Sequence, residues 1–320
     1  MPAALARLPL ACPLDGLALA PGPDGLGCPA GHNHDVARSG YASLLPAGAR
    51  RSKAPGDGVA MVGARRSVLE SGLFLSVSEA VETIAIACVT DPDGEPAVLA
   101  AGGTRAPTVA LDAGCGEGWY TDRLRRALAP TGTGTLGIDV SRPAVAAAAR
   151  RHPDTAFAVA TNRVPPVLAG RAALVTSLFG FEAWTPWAAL QTPGQHVLTV
   201  GAGPNHLVEL RRLVYGTVRV RATPRDGAPE RAGYALALER RVGATRAVPA
   251  GLAREALAMT PHVHRVPGAR AALVEREIDA VGALTVDATV RLWRRVEGAS
   301  EAPSPALVDR PEAGRGSAER

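Results

Sequence analysis

Three glycines separated by single residues follow an apolar run and an acid in the segment VALDAGCGEGWY, residues 109–120. Glycine lets backbone approach a ligand closely, and a helix that starts there offers free N–H groups. Dinucleotide sites use G-x-G-x-x-G, whereas Gly114, Gly116 and Gly118 follow Asp112 as D-x-G-x-G-x-G. This spacing favours S-adenosylmethionine, with Asp112 near the methionine part of the cofactor.

A second acid is expected at the end of the next strand, where it can accept hydrogen bonds from the cofactor's ribose hydroxyls. The segment TLGIDVS supplies Asp139 at that position. The alternative is a tight strand–helix turn with a surface aspartate. The two features in register within one βαβ pattern favour the cofactor site.

Two short knuckles near the N-terminus have the spacing of metal ligands. The first, CPLD, begins at Cys12 and ends at Asp15; the second, CPAGH, begins at Cys28 and ends at His32. A structural zinc site wants Cys or His where Asp15 stands, because a carboxylate is a harder ligand. Either Asp15 or His34 completes the site, or the module has lost its metal and keeps only the turn.

The elements around these residues alternate between strand and helix from 108 to about 222. Strands are predicted at 108–112, 135–140, 156–160, 172–178 and 195–200, and helices at about 117–129, 142–151, 184–191 and 205–214. This order predicts a parallel sheet with helices on both faces. The fold class is therefore α/β: a Rossmann-like S-adenosylmethionine-dependent methyltransferase domain with a small N-terminal zinc-knuckle-like module.

Four regions follow from the same reading. Residues 1–45 form the zinc-knuckle-like module, which is too small for much core of its own. Residues 46–107 are a basic connector and docking helices, with Val62, Ala64, Val68 and Leu69 as the apolar positions of the first helix. The methyltransferase domain is residues 108–296, ending in a further helix and closing strands. A polar tail at 297–320 is expected to be disordered.

Length and composition narrow the class of protein. The chain has 320 residues, is 47% hydrophobic and carries a net charge of +5, with arginine at every basic position except Lys53. That excess fits phosphate binding and equally a GC-rich coding bias. Four scattered cysteines do not make a disulfide framework. Nothing in the sequence indicates secretion or a membrane span, so a cytoplasmic location is expected.

Several longer segments carry a family resemblance. They are, in chain order, CPLD…CPAGHNHDVARSGYASLL, RRSKAPGDGVAMVGARRSVLESGLF, LDAGCGEGWYTDRL, GIDVSRPAVAAAARRHP, GPNHLVELRRLVYGTVRV and ALAMTPHVHRV. The chain resembles the large-subunit ribosomal RNA guanine-N1 methyltransferases of the RlmA and tylosin-resistance type over roughly residues 10–295. The glycine motif is common to many methyltransferases, but the double knuckle and the PGD and PNHL segments are specific to this family.

The resemblance implies a zinc-binding RNA-recognition module and methylation of a guanine in a hairpin loop of the large-subunit RNA, which in some members confers macrolide resistance. It implies cofactor contacts by Gly116, Glu117 and His206, and by Phe74 where the family usually has tyrosine. Two departures stand out: Asp15 replaces a zinc cysteine, and SLFGFEAWTPW at 177–187 replaces the family's Tyr-Ala-Pro beside the target base. A homodimer is a further possibility for this chain.

The chemistry of guanine N1 methylation sets further expectations. Transfer is an in-line displacement in which positioning supplies much of the rate. The N1 proton must go to a carboxylate, a histidine or water, and the sequence identifies no catalytic residue for this step. The target base must leave its stack and enter a pocket. Phe179, Phe181 and Trp184 are candidates for stacking on it, with core packing as the alternative.

Basic residues in the connector are candidates for RNA phosphates. They are Arg50, Arg51 and Lys53, with Arg65 and Arg66 beyond them, and the alternative is a solvated linker. His262 and His264 have no Cys or acid nearby, so surface or core positions are expected for them rather than metal ligation.

Two other classes of function remain open from the sequence. A small-molecule methyltransferase would keep the cofactor motifs while the RNA module decays, and a non-catalytic RNA-binding relative would lose the glycine motif first. The glycine motif is intact, which disfavours the second. Zinc content distinguishes a small-molecule methyltransferase from an RNA methyltransferase, because stoichiometric zinc indicates that the RNA module is maintained.

Overall fold

The computed structural model describes residues 2–23, 25–46, 56–90, 108–217 and 228–297. Arg50, Arg51 and Lys53 lie outside these ranges, as do residues 91–107 and the predicted tail beyond residue 297. The side chain of His264 is outside the description as well.

Helices and strands alternate through the middle of the chain. The strands are β1 (Ala20–Gly22), β2 (Gly25–Gly27), β3 (Asn33–His34), β4 (Ala42–Ser43), β5 (Val109–Ala113), β6 (Gly134–Asp139), β7 (Ala156–Val159), β8 (Ala172–Leu178), β9 (His196–Ala202), β10 (Tyr234–Ala247) and β11 (Ala283–Arg295). The helices are α1 (Ala3–Ala6), α2 (Val59–Glu70), α3 (Leu75–Val89), α4 (Trp119–Leu128), α5 (Arg142–Arg151), α6 (Trp184–Ala189), α7 (Val208–Tyr215), α8 (Ala228–Arg231), α9 (Leu252–Ala258) and α10 (Gly268–Glu277).

The main sheet of the described residues has eight strands in the order β10-β11-β9-β8-β5-β6-β7-β4. Strands β5 to β9 are parallel, as the alternation of strand and helix predicts. The sheet as a whole is mixed, because β11 is antiparallel to both β9 and β10. The alternation ends after α7, and α10 then packs on α7, where Arg270 donates to the Leu213 carbonyl.

The core lies on both faces of this sheet because successive side chains of a strand point to opposite faces. Ala110 of β5 packs in a cluster with α3, α4, α7 and α9, whereas Val109, Leu111 and Ala113 pack in a second cluster with α6. All four side chains are fully buried. This apolar support holds the carboxyl ends of the central strands in place.

The N-terminal module shares the second cluster. Leu10, Cys12, Leu26 and Cys28 pack in the same group of buried residues as Leu111 of β5. Strand β4 also pairs in parallel with β7 and extends the main sheet. A module of this size cannot bury enough surface alone, and the shared core provides what it lacks.

Helices α2 and α3 lie between the N-terminal module and the central strands of the main sheet along the chain. Val62, Ala64, Val68 and Leu69 are the buried residues of α2, which confirms the apolar positions predicted from the sequence. Among the described residues no single helix is long and apolar enough to cross a membrane; α2 and α3 pass only as a pair, bent by 82°.

Candidate active site and metal group

A cavity of about 890 Å³ opens at the carboxyl ends of β5, β6 and β8, the edge at which parallel sheets bind their ligands. Its walls come from the connector, the glycine turn, the ends of β6 and β8, the segment before α7 and the end of α9. Every residue predicted to contact the cofactor except Gly118 lines it: Phe74, Asp112, Gly114, Gly116, Glu117, Asp139 and His206.

The glycine turn owes its shape to left-handed backbone and close packing. Gly114, Gly116 and Gly118 have φ of 98°, 54° and 84°, a region that residues with a Cβ rarely adopt. At Gly118 a Cβ would lie 2.7 Å from the Phe157 ring and 2.9 Å from the Cβ of Ala148. Gly118 therefore supports the turn from behind, while Gly114 and Gly116 border the cavity.

Asp112 lies under the turn, only 2% exposed. Its carboxylate accepts hydrogen bonds from the hydroxyls of Thr121, at 2.6 Å, and Thr176, at 3.0 Å. Burial raises the pKa of Asp112 to about 6, against the lowering effect of these two hydrogen bonds. A cationic ligand in the cavity would favour the ionised carboxylate.

Asp139 ends β6 and connects it to the turn. Its carboxylate accepts from the backbone N–H of Gly116 at 3.0 Å and from that of Ser141 at 2.8 Å. Burial raises the pKa of Asp139, and these two N–H groups lower it. The predicted second acid thus lies on the cavity wall beside the first helix of the domain.

Glu117 and two arginines of α2 occupy the side of the cavity next to the connector. The side chain of Glu117 is 1% exposed and accepts from Arg66 Nε at 3.0 Å. Arg65 lines the cavity, donates to Asp57 and contacts the Met259 carbonyl oxygen at 3.4 Å. Both arginines bind acids of their own chain, so their contact with RNA phosphate stays a prediction.

Three aromatic rings of the cavity lining pack against one another and form its aromatic wall. The His206 ring lies 5.2 Å from that of Phe179, at an interplanar angle of 32°, and Phe74 meets both edge-on at 5.7 and 5.8 Å. Phe179 and Leu207, which follows His206, have positive φ of 56° and 47°. Backbone strain of this kind persists where the surrounding structure holds it and is common at functional sites.

The three aromatic residues predicted to stack on the base lie in three different environments. Phe179 is in the cavity wall, and Phe181 is 60% exposed at its rim, with the Arg163 guanidinium 5.6 Å from its ring centre. Trp184 is 7% exposed and packs against Trp187 and other aromatic rings of the core. For Trp184 the structure therefore supports core packing rather than base stacking.

Several residues that line the cavity were not predicted from the sequence. Asp57, Met61, Met259, Thr260 and Asn162 all line it. Asp57 belongs to the PGD segment, whose polar residue directly before a helix was the available signal. Met259 and Thr260 directly follow α9 and belong to the ALAMTPHVHRV segment, which carried the family resemblance but gave these two residues no role.

The knuckle residues Cys12, Asp15, Cys28 and His32 meet in one group, their ligand atoms all within 4.8 Å of one another. The Nδ1 atom of His32 lies 3.6 and 3.5 Å from the two sulfurs and 2.9 Å from Asp15 Oδ2. Sulfur and nitrogen atoms that share a tetrahedral zinc ion lie about 3.5 Å apart. The donor set and its spacing therefore fit zinc, with Asp15 in the place of a thiolate.

His34, the other candidate for the fourth ligand, lies beside this group. Its Nε2 is 3.3 Å from the Cys12 sulfur. The pKa of Asp15 is lowered to about 2, chiefly because the backbone N–H of Leu17 donates to its carboxylate. His262 is bonded elsewhere, with its Nδ1 2.8 Å from the Tyr215 hydroxyl.

Comparison with known proteins identifies the class and then the family. A family model described as "RlmA, N-terminal", a zinc ribbon, matches residues 10–53, and one described as "Methyltransferase domain" matches residues 110–214. Together with the cavity at the strand ends, they define an S-adenosylmethionine-dependent methyltransferase. A Micromonospora griseorubida protein bearing the name of a 23S rRNA (guanine-N1)-methyltransferase is 35% identical over 213 residues, 63% of this chain and 68% of the relative. The chain belongs to this RlmA-type family.

A second curated relative and one solved structure are also similar to parts of this chain. The 23S rRNA (guanine(748)-N1)-methyltransferase of Streptomyces fradiae is 33% identical over 197 residues, which is 61% of this chain and 64% of that protein. The crystal structure of YcgJ from Bacillus subtilis covers 61% of this chain and 94% of its own, with a TM-score of 0.40 and 15% identity.

The raised pKa of Asp112 predicts that cofactor affinity depends on pH. Below about pH 6 the carboxyl is protonated in the free protein and must ionise to pair with a cationic ligand, so affinity falls by up to about tenfold per pH unit. Above about pH 6 the affinity for the cofactor becomes independent of pH, because the carboxyl is already ionised in the free protein. Calorimetric titration with S-adenosylmethionine between pH 5 and 8 measures this.

Asp112→Asn is the matched variant, because an amide does not titrate. Its affinity should be weaker at pH 8 and nearly independent of pH. An unchanged slope would assign the titration to Asp139 or Glu117, whose pKa values are also raised.

Proposed function

We propose that this protein transfers a methyl group from S-adenosylmethionine to N1 of a guanine in a hairpin loop of the large-subunit ribosomal RNA. The observation that carries the proposal is the presence, in one continuous core, of the RlmA-type metal group and the methyltransferase cavity. An enzyme that methylates a small molecule does not need the RlmA-type metal group. The names of the two relatives support the same base and the same atom.

The cofactor's part of the cavity is proposed from its donor and acceptor groups. Bound S-adenosylmethionine supplies a methyl group activated by its sulfonium. Asp139 would accept from the ribose hydroxyls, Asp112 would face the methionine part, and the backbone of Gly114 and Gly116 would lie against the cofactor. Phe74 and Glu117 would complete its wall, with Gly118 keeping the turn in shape and His206 at the end of the cavity toward the base.

The target base would enter from the rim and lie against aromatic faces, since an extruded base gives up its stacking neighbours. Phe179 is placed to face it inside the cavity, and Phe181, with Arg163 over its ring, is placed to stack a neighbouring nucleotide of the loop. Both roles are proposals from position and exposure.

We assign the regions a division of labour. Residues 1–45 would recognise RNA, with zinc held by Cys12, Asp15, Cys28 and His32. Residues 46–107 would contact phosphates through Arg50, Arg51 and Lys53 and dock the module on the domain of residues 108–296. The reaction would take place in the cytoplasm, where ribosomes are assembled.

Two finer properties are proposed with it. A homodimer is supported by β10, a strand of 14 residues at the edge of the sheet whose side chains are mostly exposed; sedimentation velocity would show it. Macrolide resistance would follow if the methylated loop lines the peptide tunnel, and a raised inhibitory concentration in a sensitive strain expressing the protein would test it.

Primer extension tests the function directly. N1 methylation blocks Watson–Crick pairing, so a reverse transcriptase is expected to stop at one guanine of 23S RNA incubated with enzyme and S-adenosylmethionine. The stop should be absent without cofactor. Gly116→Arg should also remove it, whereas Gly268→Arg, at an exposed glycine with nothing within 4 Å, should retain it.

If naked and assembled RNA both give no stop, while a pool of small molecules accepts labelled methyl groups, the small-molecule alternative replaces this proposal. Binding of RNA without any methyl transfer would instead favour the non-catalytic relative.

A further inference from the structure

The proton of guanine N1 needs an acceptor, and each carboxylate that lines the cavity already has at least one donor, although Glu117 Oε1 is buried without a hydrogen-bond partner among the described residues. Asp112 accepts from two threonine hydroxyls, and Asp139 accepts from two backbone N–H groups. Glu117 pairs with Arg66, and Asp57 pairs with Arg65. Asp112, Glu117 and Asp139 belong to the glycine turn and the strand ends beside it, and Asp57 belongs to the connector; the aromatic wall is the group of Phe74, Phe179 and His206.

His206 is in that wall, and one of its ring nitrogens is free. Nδ1 lies 3.0 Å from the Asp287 carbonyl oxygen and 3.4 Å from the Asp287 backbone nitrogen. In the longer contact the Asp287 N–H points at this nitrogen and would need its lone pair, whereas the shorter contact needs a donor on the ring; we assign the ring proton to Nδ1 on the shorter contact. Within the described part of the chain Nε2 has no hydrogen-bond partner, and His206 lines the cavity. Nε2 therefore carries a lone pair available to a bound base.

The partner that sets this tautomer is itself held firmly. The Asp287 carbonyl also accepts from the Gly203 N–H at 2.8 Å. Its carboxylate accepts from the Asn205 N–H at 2.8 Å and from Arg241 at 2.5 Å. Asp287 belongs to β11, which is paired on both sides within the sheet. The imidazole is thus oriented by backbone rather than by a mobile side chain.

We propose that His206 is the catalytic base that accepts the N1 proton through Nε2; this rests on the proposed function. As the proton leaves, the electron pair of the N1–H bond becomes the in-plane pair that forms the bond to the methyl carbon. The carbon–sulfur bond breaks at the same time and its electrons remain on sulfur, giving S-adenosylhomocysteine. The proton passes to Nε2 and then to water, which leaves neutral N1-methylguanine and neutral His206.

The protonation state of His206 agrees with this role. Burial lowers its pKa to about 4; the Asp287 carbonyl and carboxylate act in the opposite direction, and Arg211 and His262 add to the lowering. The ring is consequently neutral, and able to accept, throughout the physiological range. A weak base suffices because the N1 proton becomes strongly acidic as the nitrogen–carbon bond forms.

His206→Asn separates proton transfer from cofactor binding. The asparagine amide reaches the position of Nδ1, so it can keep the bond to the Asp287 carbonyl, but it has no atom at the position of Nε2. We expect the calorimetric Kd for S-adenosylmethionine to change by less than about threefold, and the single-turnover rate of N1 methylation at saturating cofactor to fall about 100-fold. His262→Asn, the same substitution outside the cavity wall, should leave the rate near that of the wild type.

Imidazole added to the His206→Asn variant should restore part of the rate, and the restored rate should rise with pH through the near-neutral pKa of imidazole itself. A merely structural histidine would not respond in this way.

Three results would count against the proposal. A raised Kd for cofactor with an unchanged rate at saturation would make His206 a cofactor ligand alone. A wild-type rate in the His206→Asn variant, with the primer-extension stop intact, would overturn this inference and leave the proposed function standing. Failure of the wild-type protein to produce any stop would overturn both.

Discussion

Gly116→Arg is expected to weaken S-adenosylmethionine binding on the order of 1,000-fold, a loss of about 4 kcal/mol. Gly116 has a φ of 54° and donates its N–H to Asp139, so a side chain strains the turn and disturbs the second acid. A Cβ there would lie 3.4 Å from an Arg65 nitrogen, and an arginine would bring a second cation into a cavity meant for a cationic cofactor. Isothermal calorimetry measures the loss.

The matched control is Gly268→Arg, which adds the same charge at an exposed position and should leave both Kd and thermal unfolding unchanged. Asp139→Ala should weaken binding by a smaller factor, because it removes the ribose acceptor and leaves the cavity open. Unchanged affinity in both Gly116→Arg and Asp139→Ala would refute the assignment of this cavity to the cofactor.

The metal group carries the second large effect. Elemental analysis of protein purified without chelator is expected to find about one zinc per chain, and Cys28→Ser to lower zinc affinity on the order of 1,000-fold, since it removes one of only two thiolates. Asp15→Cys should tighten binding, because a thiolate suits zinc better than the carboxylate that now stands there.

Cys88→Ser is the control for the loss of a thiol, since Cys88 lies on α3, away from the group. Cys12 and Cys28 share a buried cluster with Leu111 of the central strand, so zinc removal should also lower the Tm of the whole chain. Equal metal content in wild type and Cys28→Ser would rule out Cys28 as a zinc ligand, and no metal in wild type and Asp15→Cys alike would show that the module holds its shape without zinc.

The sequence alone determined the parts of this protein that depend on neighbours along the chain. Strand β5, the glycine turn and α4 follow from an apolar run, three glycines and an amphipathic segment, all within 20 residues. Spacing within each knuckle likewise brought out Cys12, Asp15, Cys28 and His32 as a group. In each case local backbone geometry and residue type were sufficient.

Tertiary structure decided whatever depends on contacts between distant segments. Trp184 lies six residues after Leu178, the last residue of β8, yet it packs in the core, because other aromatic rings such as Trp293 surround it. Arg65 reads as a cation of a basic connector, but the cavity side of α2 brings it to Asp57 and Met259. The antiparallel pairing of β11 with β9 is likewise a contact between distant segments, with Trp293 opposite Val197.

His206 shows the same division within one residue. The PNHL segment marks it as a site residue, but the free nitrogen that makes it a base is set by Asp287, 81 positions later in the chain. No local pattern encodes which nitrogen of an imidazole carries the proton. That choice requires a carbonyl oxygen at 3.0 Å, and only the pairing of β11 into the sheet puts one there.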